Sequence, residues 1–178
     1  MLEIELKVRV ESLDPVRDRL IRLGASPGTR TTEEDTYFNA PHRDFRKTDE
    51  ALRVRYSNGI STLTYKGRKQ KEFAFKAREE LCTGVESGAV LELILDRLGF
   101  TRAANVRKIR EYFSYRGASI ALDQVERLGS FVEIEVIAEE GQSFSSDLIG
   151  QVAEELGISG EPIFLSYLEL IQSKPSKA

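Results

Sequence analysis

Hydrophobic and polar positions alternate from the second residue onward. Leu2, Ile4, Leu6 and Val8 occupy one set of positions, and Glu3, Glu5 and Lys7 the other. Successive side chains of a strand point to opposite faces, so this stretch predicts a β-strand with one apolar and one ionic face. The pattern returns late in the chain, where Glu133 and Glu135 oppose Val132, Ile134 and Val136. Alternation predicts further strands at Asp35–Asn39, Ala51–Ser57, Ser61–Lys66, Lys71–Glu80, Val106–Tyr115 and Ala118–Val125. Ser57-Asn58-Gly59 and Arg116-Gly117 are hairpin turn signals, so the strands are expected to be mostly antiparallel.

Helical spacing appears in four places. Pro15 at a first helical position, the stripe Val16, Leu20 and Leu23, and the stop at Gly24 predict a helix over Asp14–Leu23. Val90, Leu91, Ile94, Leu95 and Leu98 predict a second over Ser87–Leu98, ended by Gly99. Leu148, Ile149, Val152 and Leu156 predict a third over Ser146–Leu156, and Leu165–Gln172 forms a short fourth. Each stripe requires an apolar partner surface. Arg22-Leu23-Gly24 precedes Tyr37-Phe38 by the same interval that separates Arg97-Leu98-Gly99 from Tyr112-Phe113. Chance or a duplicated half-barrel accounts for that recurrence.

The polar faces of the middle strands are basic. Arg53 and Arg55 alternate with Leu52, Val54 and Tyr56, while Lys66 follows Thr62 and Thr64. Lys76 and Arg78 oppose Phe73, Phe75 and Ala77, and Lys108 and Arg110 oppose Ile109 and Phe113. Asp123 follows Ser119 and Ala121. One reading is a set of solvated outer faces, common in antiparallel sheets. Two features favour another. Acids gather on the first and late strands and bases on the middle ones, whereas ordinary surfaces intersperse them. Arginine also recurs where lysine would suffice for solubility, and its planar fork matches phosphate oxygens. A sheet curled into a barrel turns these faces inward. Such an interior is no dry core, because unpaired buried charge costs several kcal/mol per ion. A polyphosphate with divalent cations suits it.

Composition narrows the alternatives. The chain has 178 residues, 31% charged and 40% hydrophobic, which predicts one ordered domain over residues 1–178. A net charge of −3 gives no argument for nucleic-acid or membrane partners, and no segment reaches the roughly 20 apolar residues of a membrane helix. The chain starts directly in a charged strand without a signal peptide, so a cytoplasmic location is expected. Cys82 is the sole cysteine and His42 the sole histidine, which excludes an internal disulfide and a multi-histidine zinc site. We expect His42 in an exposed loop, Cys82 as a small buried side chain, and Tyr37 and Phe38 in the core. The run Lys66-Gly67-Arg68-Lys69-Gln70-Lys71 reads as a solvated hairpin turn rather than an RNA contact. Neither a Walker A nor a GxGxxG motif is present.

Six motifs stand in a telling order: Glu3-x-Glu5-x-Lys7, Ala51-Leu52-Arg53-Val54-Arg55, Leu63-Thr64-Tyr65-Lys66-Gly67, Lys108-x-Arg110, Leu122-Asp123 and Glu133-x-Glu135. The series resembles the CYTH family of triphosphate tunnel enzymes and, within it, the class IV adenylyl cyclases. Asp35-Thr36-Tyr37-Phe38, Thr48-Asp49-Glu50-Ala51-Leu52-Arg53 and Ser166-Tyr167-Leu168-Glu169 are similar too. The resemblance covers nearly the whole chain. It implies an α+β fold: an eight-stranded antiparallel tunnel barrel with helices packed outside. By the same resemblance Glu3, Glu5, Glu133, Glu135 and Asp123 are metal ligands for Mg²⁺ or Mn²⁺. Lys7, Arg53, Arg55, Lys66, Lys76, Arg78, Lys108 and Arg110 are triphosphate ligands. Glu3, Glu5, Lys7, Arg53, Arg55, Lys66, Lys108, Arg110 and Asp123 would together carry catalysis. The family often has Arg-x-Glu-x-Glu on the fourth tunnel strand. Here Arg78-Glu79-Glu80-Leu81-Cys82 puts Cys82 in place of the second acid, leaving open the role of Glu80 and the choice between Lys76 and Arg78.

The activity this implies is cyclisation of ATP to cyclic AMP and pyrophosphate by a homodimer. Hydrolysis of inorganic, thiamine or nucleoside triphosphate is the alternative on the same site. Non-catalytic binding of polyphosphate or nucleotide is a third reading.

Overall fold

The computed structural model describes residues 2–70, 75–138 and 146–173. In chain order the elements are β1 (Leu2–Val10), α1 (Asp14–Arg22), β2 (Ser26–Asn39), α2 (Phe45–Thr48), β3 (Ala51–Ser57) and β4 (Ile60–Gln70). There follow β5 (Lys76–Val85), α3 (Gly88–Arg97), β6 (Thr101–Tyr115), β7 (Ala118–Val125), β8 (Gly129–Ala138), α4 (Ser146–Glu155) and α5 (Tyr167–Ser173). The strands close into one antiparallel barrel in the order β1-β5-β4-β3-β2-β6-β7-β8. Closure leaves no sheet edge to blunt.

Register brings ionic positions opposite ionic positions. Glu5 faces Glu135, Lys7 faces Glu133, Lys66 faces Glu80 and Arg110 faces Asp123. Side chains alternate across a sheet, so one registration sends every charged row to the same side, the barrel interior. The apolar rows face out and are largely covered, Leu81 and Ile109 remaining exposed. Ile4, Leu6 and Val8 of β1, with Ile120, Leu122, Val132 and Ile134, bury Val16 and Leu20 of α1 and Ile149, Val152 and Leu156 of α4. Each such side chain contributes about 1.5–3 kcal/mol on burial. Leu91 and Leu95 of α3 pack on Phe38, Val54 and Leu63.

The two ends of the barrel differ. At one end the inward positions Tyr37, Val106, Val125 and Phe131 form an apolar cluster with Tyr167 of α5, and α5 covers it with Leu168, Leu170 and Ile171. Ile163 N–H donates to the Lys7 carbonyl, tying the segment before α5 to β1. At the other end lie the β3–β4 and β6–β7 hairpin turns. Asn58 and Gly59 have φ of 49° and 76°, and Arg116 and Gly117 have 51° and 83°. This is the doubly left-handed conformation that the turn signals predict.

The recurrence in the sequence has a structural counterpart. Exchanging β1–β4 with β5–β8 reproduces the same set of strand neighbours. The shift that carries Gly24 to Gly99 also carries Glu3 to Arg78 and Glu33 to Lys108, and both are cross-strand pairs. An approximate two-fold axis therefore runs through the β1–β5 and β2–β6 junctions, as a duplicated half-barrel requires.

Several boundaries differ from expectation. β2 starts at Ser26 rather than Asp35, because a long ladder with β6 overrides the loop-like composition of Ser26-Pro27-Gly28. β5 runs past Glu80 to Val85, and residues 71–74 of the expected strand lie outside the described residues. Lys66 to Gln70 belong to β4 rather than to a turn, and Lys71 lies outside the described residues. α2 is a single turn without hydrophobic periodicity. Asp44 caps it by accepting from Arg46 N–H, and Asn39 Oδ1 accepts from Phe45 N–H.

Candidate active site: an ionic tunnel closed at one end

A cavity of about 390 Å³ runs inside the barrel. It is lined by Glu3, Glu5, Lys7, Arg53, Arg55, Lys66, Lys76, Arg78, Lys108, Arg110, Glu133 and Glu135, so all but one of the expected site residues share it. Asp123 is the exception. It is fully buried beside Arg110, which donates to both its oxygens, and it also accepts from Tyr167 Oη at 2.7 Å. Arg78 lines the cavity, but its guanidinium donates to the carbonyls of Gly67 and Asp49.

Acids and bases both reach the covered end of the tunnel. Its inward positions there include Lys7 and Lys76, and also Asp35 opposite Val106 and Asp123 opposite Phe131. Toward the open end, β1, β5, β2 and β8 present Glu3, Glu80, Glu33 and Glu135. Between them the signs alternate in a dense network. Lys7 Nζ bridges Glu5 at 2.9 Å and Glu133 at 3.1 Å, and Lys76 Nζ holds Glu5 at 2.9 Å. Lys108 Nζ sits 2.8 Å from Glu33 and 3.4 Å from Asp35, and Arg55 pairs with both acids. Arg110 joins Asp123 to Glu133, while Lys66 joins Glu3 to Glu80. Arg53 is the least committed base. Its nearest carboxylate oxygens are 3.7 and 3.9 Å away, and its buried Nε has no hydrogen-bond partner among the described residues.

Sequence reasoning missed Glu33 and Asp35. The expected strand began at Asp35, so the Glu33-x-Asp35 alternation, which carries the same signal as Glu3-x-Glu5, fell outside it. The expected segregation of acids from bases is corrected accordingly: β2 brings two acids among the bases of β3 and β6. Cys82 is exposed rather than buried, because its position on β5 lies beyond the last tunnel charge. Tyr37 and Phe38 are buried and His42 is exposed, as expected.

A CYTH domain matches residues 1–162. The chain belongs to the CYTH family. Members of this family act on triphosphates and depend on divalent metals. A Methanocaldococcus jannaschii protein provisionally named adenylate cyclase is 36% identical over 173 residues, covering 96% of this chain and 98% of the relative. The solved structure of a Pyrococcus horikoshii OT3 protein shares 34% identity with a TM-score of 0.78, over 97% of this chain and 99% of that one. A Hippeastrum protein, provisionally an adenylyl cyclase with a dominant triphosphatase activity, shares the fold at 19% identity and a TM-score of 0.71, over 97% and 95% of the two chains. No described helix is long and apolar enough to cross a membrane.

The carboxylates of this CYTH tunnel suit a hard divalent cation. Burial, and the neighbouring Glu3 and Glu133, push Glu135 up to about 7. Burial also raises Glu3, against the pull of Lys66. Glu5 behaves otherwise: burial opposes its ionisation, but Lys7 and Lys76 hold it below the usual range. Burial likewise brings Lys76 down to about 8 despite Glu5. Glu3 and Glu135 are thus hard oxygen donors whose charges lack sufficient compensation from the protein. Among the described residues, no three acids converge into a ready cage. That matches Mg²⁺-type binding, which uses one or two carboxylates together with substrate phosphate oxygens.

Proposed function

We propose that this protein is a class IV adenylyl cyclase, converting ATP to cyclic AMP and pyrophosphate inside the barrel. The observation that carries this reading is the buried ionic cavity, where lysines and arginines, Arg53 among them with an unpartnered donor, stand beside Glu3 and Glu135, two carboxylates that burial raises above the usual range. A triphosphate ester then enters with its terminal phosphates first. Lys7, Lys76, Arg53 and Lys108 hold the β- and γ-phosphates, and Arg53 has the unpartnered buried donor that such an anion satisfies. The α-phosphate and ribose lie level with Glu3, Glu80 and Glu135. Glu3, Glu5 and Glu135 would hold divalent cations, which would supply charge neutralisation and acidify the ribose 3′-hydroxyl. The 3′-oxygen bonds to the α-phosphorus as the bond to the bridging oxygen breaks. The hydroxyl proton passes to water at the open end of the barrel, and pyrophosphate departs with the electron pair. Arg55 and Arg110 stabilise the charge developing around that phosphorus. Glu33 and Asp35 orient Arg55 and Lys108, and Asp123 orients Arg110.

The charges also account for a metal requirement. Glu3, Glu5, Glu33, Asp35, Glu80, Asp123, Glu133 and Glu135 equal in number Lys7, Arg53, Arg55, Lys66, Lys76, Arg78, Lys108 and Arg110, so the formal charges sum to zero although Glu3 and Glu135 are locally under-compensated. A neutral interior disfavours a bare tetra-anion and accepts it once cations accompany it. Binding is then an exchange: bases release carboxylates to take phosphate, and the released carboxylates take metal.

The test is incubation of purified protein with ATP and Mn²⁺. Equal amounts of cyclic AMP and pyrophosphate are expected, and pyrophosphate without cyclic AMP would count against cyclisation. The second reading, a triphosphatase, is favoured by the dominant triphosphatase activity of the Hippeastrum barrel, which shares the fold. Orthophosphate release from tripolyphosphate exceeding any ATP turnover would select it. Replacing Glu135 by Gln should lower metal-dependent turnover by roughly 100-fold or more in either case. The same change should raise the metal-free melting temperature, because it removes a carboxylate repelled by Glu3. A non-catalytic binding module would show no turnover to lose. Homodimerisation belongs to this proposal too, with exposed Val90, Leu93 and Ile94 of α3 and Leu98 just after it as its apolar face.

A further inference from the structure

Arg78 stands apart from the other bases of the tunnel. Lys7, Arg53, Arg55, Lys66, Lys76, Lys108 and Arg110 each face a carboxylate within ion-pair distance. Among the described residues Arg78 faces none, and its guanidinium donates to backbone carbonyls instead. Nε donates to Gly67 at 2.8 Å, and Nη2 donates to Gly67 and, at 2.9 Å, to Asp49. The residue is 3% exposed. A buried guanidinium without a carboxylate would suit an incoming phosphate, but the two carbonyls argue otherwise. In turning to phosphate, Arg78 would strip a donor from each. Gly67 is buried, and an unmet carbonyl there is costly.

Both carbonyls sit at irregular points of the chain. β4 pairs Lys66 with Glu80 and next Lys69 with Arg78, three residues against two. That is a β-bulge, a device that re-aims side chains. It leaves Arg68 exposed and puts Lys69 into the inward row to which Lys66 belongs. Lys69 Nζ holds Asp49 at 2.8 Å and Glu169 of α5 at 2.7 Å. Asp49 closes α2 with a φ of 56°, a conformation that a residue with a side chain keeps only where its surroundings fix it. Three donors do so: the N–H and Nζ of Lys69 on the carboxylate, and Arg78 on the carbonyl. Two residues further on, Ala51 starts β3, which carries Arg53 and Arg55.

We propose that Arg78 is a positioning residue: its fork pins the β4 bulge to the α2–β3 corner, aims Lys66 at Glu3 and Glu80, seats Lys69 against α5, and makes no phosphate contact. A planar fork can span two carbonyls in this way, whereas an ammonium is a point charge without that geometry. The proposal rests on the tunnel reading above. There Lys66 stands beside the metal-holding carboxylates, while Lys7, Lys76, Arg53 and Lys108 hold the terminal phosphates. Loss of the clamp therefore disturbs turnover more than grip.

The experiment compares wild type with Arg78→Lys and Arg78→Gln, with Mn²⁺ present throughout. Turnover is measured at saturating ATP or tripolyphosphate, whichever wild type consumes faster, below the melting temperature of each variant. Affinity is measured by isothermal titration with adenosine 5′-(α,β-methylene)triphosphate. Arg78→Lys should lose about tenfold in turnover, as much as Arg78→Gln, while its affinity for the analogue stays within about twofold of wild type. An affinity loss beyond that range would mark a phosphate ligand and overturn the proposal. Turnover of Arg78→Lys well above that of Arg78→Gln would also overturn it, since charge alone would then suffice. So would lower melting with turnover and affinity both kept, the sign of a residue that only stabilises the fold. If neither variant folds, Asp49→Gly keeps the left-handed backbone and releases Lys69. The same split is expected of it, and unchanged turnover there would overturn the clamp. Wild type without turnover would overturn the enzymatic reading and this role with it.

Discussion

Glu33 shows how much of this site depends on single residues placed out of water. Burial works against its ionisation, but Lys108, Arg110 and Arg55 outweigh that and bring it down to about 2. Asp35 is held further below the usual range, again against burial, by Lys108, Arg53 and Arg55. A carboxylate whose folded pKa is depressed adds stability that is complete above its unfolded value and disappears as pH falls through the folded one. For Glu33 that window runs from 4.5 down to about 2. Thermal melting between pH 6 and pH 3 should therefore fall more steeply in wild type than in Glu33→Gln, where Asp35 still pairs Lys108 and Arg55. Equal slopes would show that Glu33 is not held ionised by these bases. The sequence already contained the clue to Glu33, an acid two positions before Asp35. It was obscured by Thr31, Thr32 and the Pro27-Gly28 break, whose loop-like character yields to a ladder visible only in three dimensions.

At the scale of elements, legibility followed locality. α1, α3 and α4 stand where stripes and glycine stops put them, because helix signals are short-range. Both hairpins follow from left-handed turn residues. α2 was illegible, since its hold comes from Asp44 and Asn39 rather than an apolar stripe. The function of α5 was also hidden. A short apolar tail predicts a helix but not that Tyr167 enters the barrel end, donates to Asp123 and edges onto Phe131. Removing that hydroxyl leaves part of a buried carboxylate unsatisfied. Tyr167→Phe should cost about 1–3 kcal/mol in urea unfolding. It should also weaken triphosphate binding, because Asp123 then orients Arg110 less firmly. A stability change within the error of the measurement would mean that α5 covers the barrel end without holding Asp123.

For the whole molecule, the sequence established alternation and sign but not closure. Eight alternating strands fit a solvated sheet as readily as a barrel. What decides between them is register, which sets Glu5 against Glu135 and Arg110 against Asp123 and so forces all charged rows to one side. The near two-fold arrangement of the halves makes this consistent: Arg55 with Asp35 in one half answers Asp123 with Arg110 in the other, the signs reversed. The resulting interior is ionic, covered at one end and open at the other. Its central claim is that a triphosphate and its cations replace internal ion pairs. Diffraction from crystals grown with Mn²⁺ and adenosine 5′-(α,β-methylene)triphosphate, collected for the anomalous signal of manganese, tests it most directly. The expected map places manganese against Glu3, Glu5 or Glu135 and the terminal phosphates against Lys7, Lys76 and Arg53. Nucleotide on the outer surface, with Lys66 still bridging Glu3 and Glu80 inside the barrel, would contradict it.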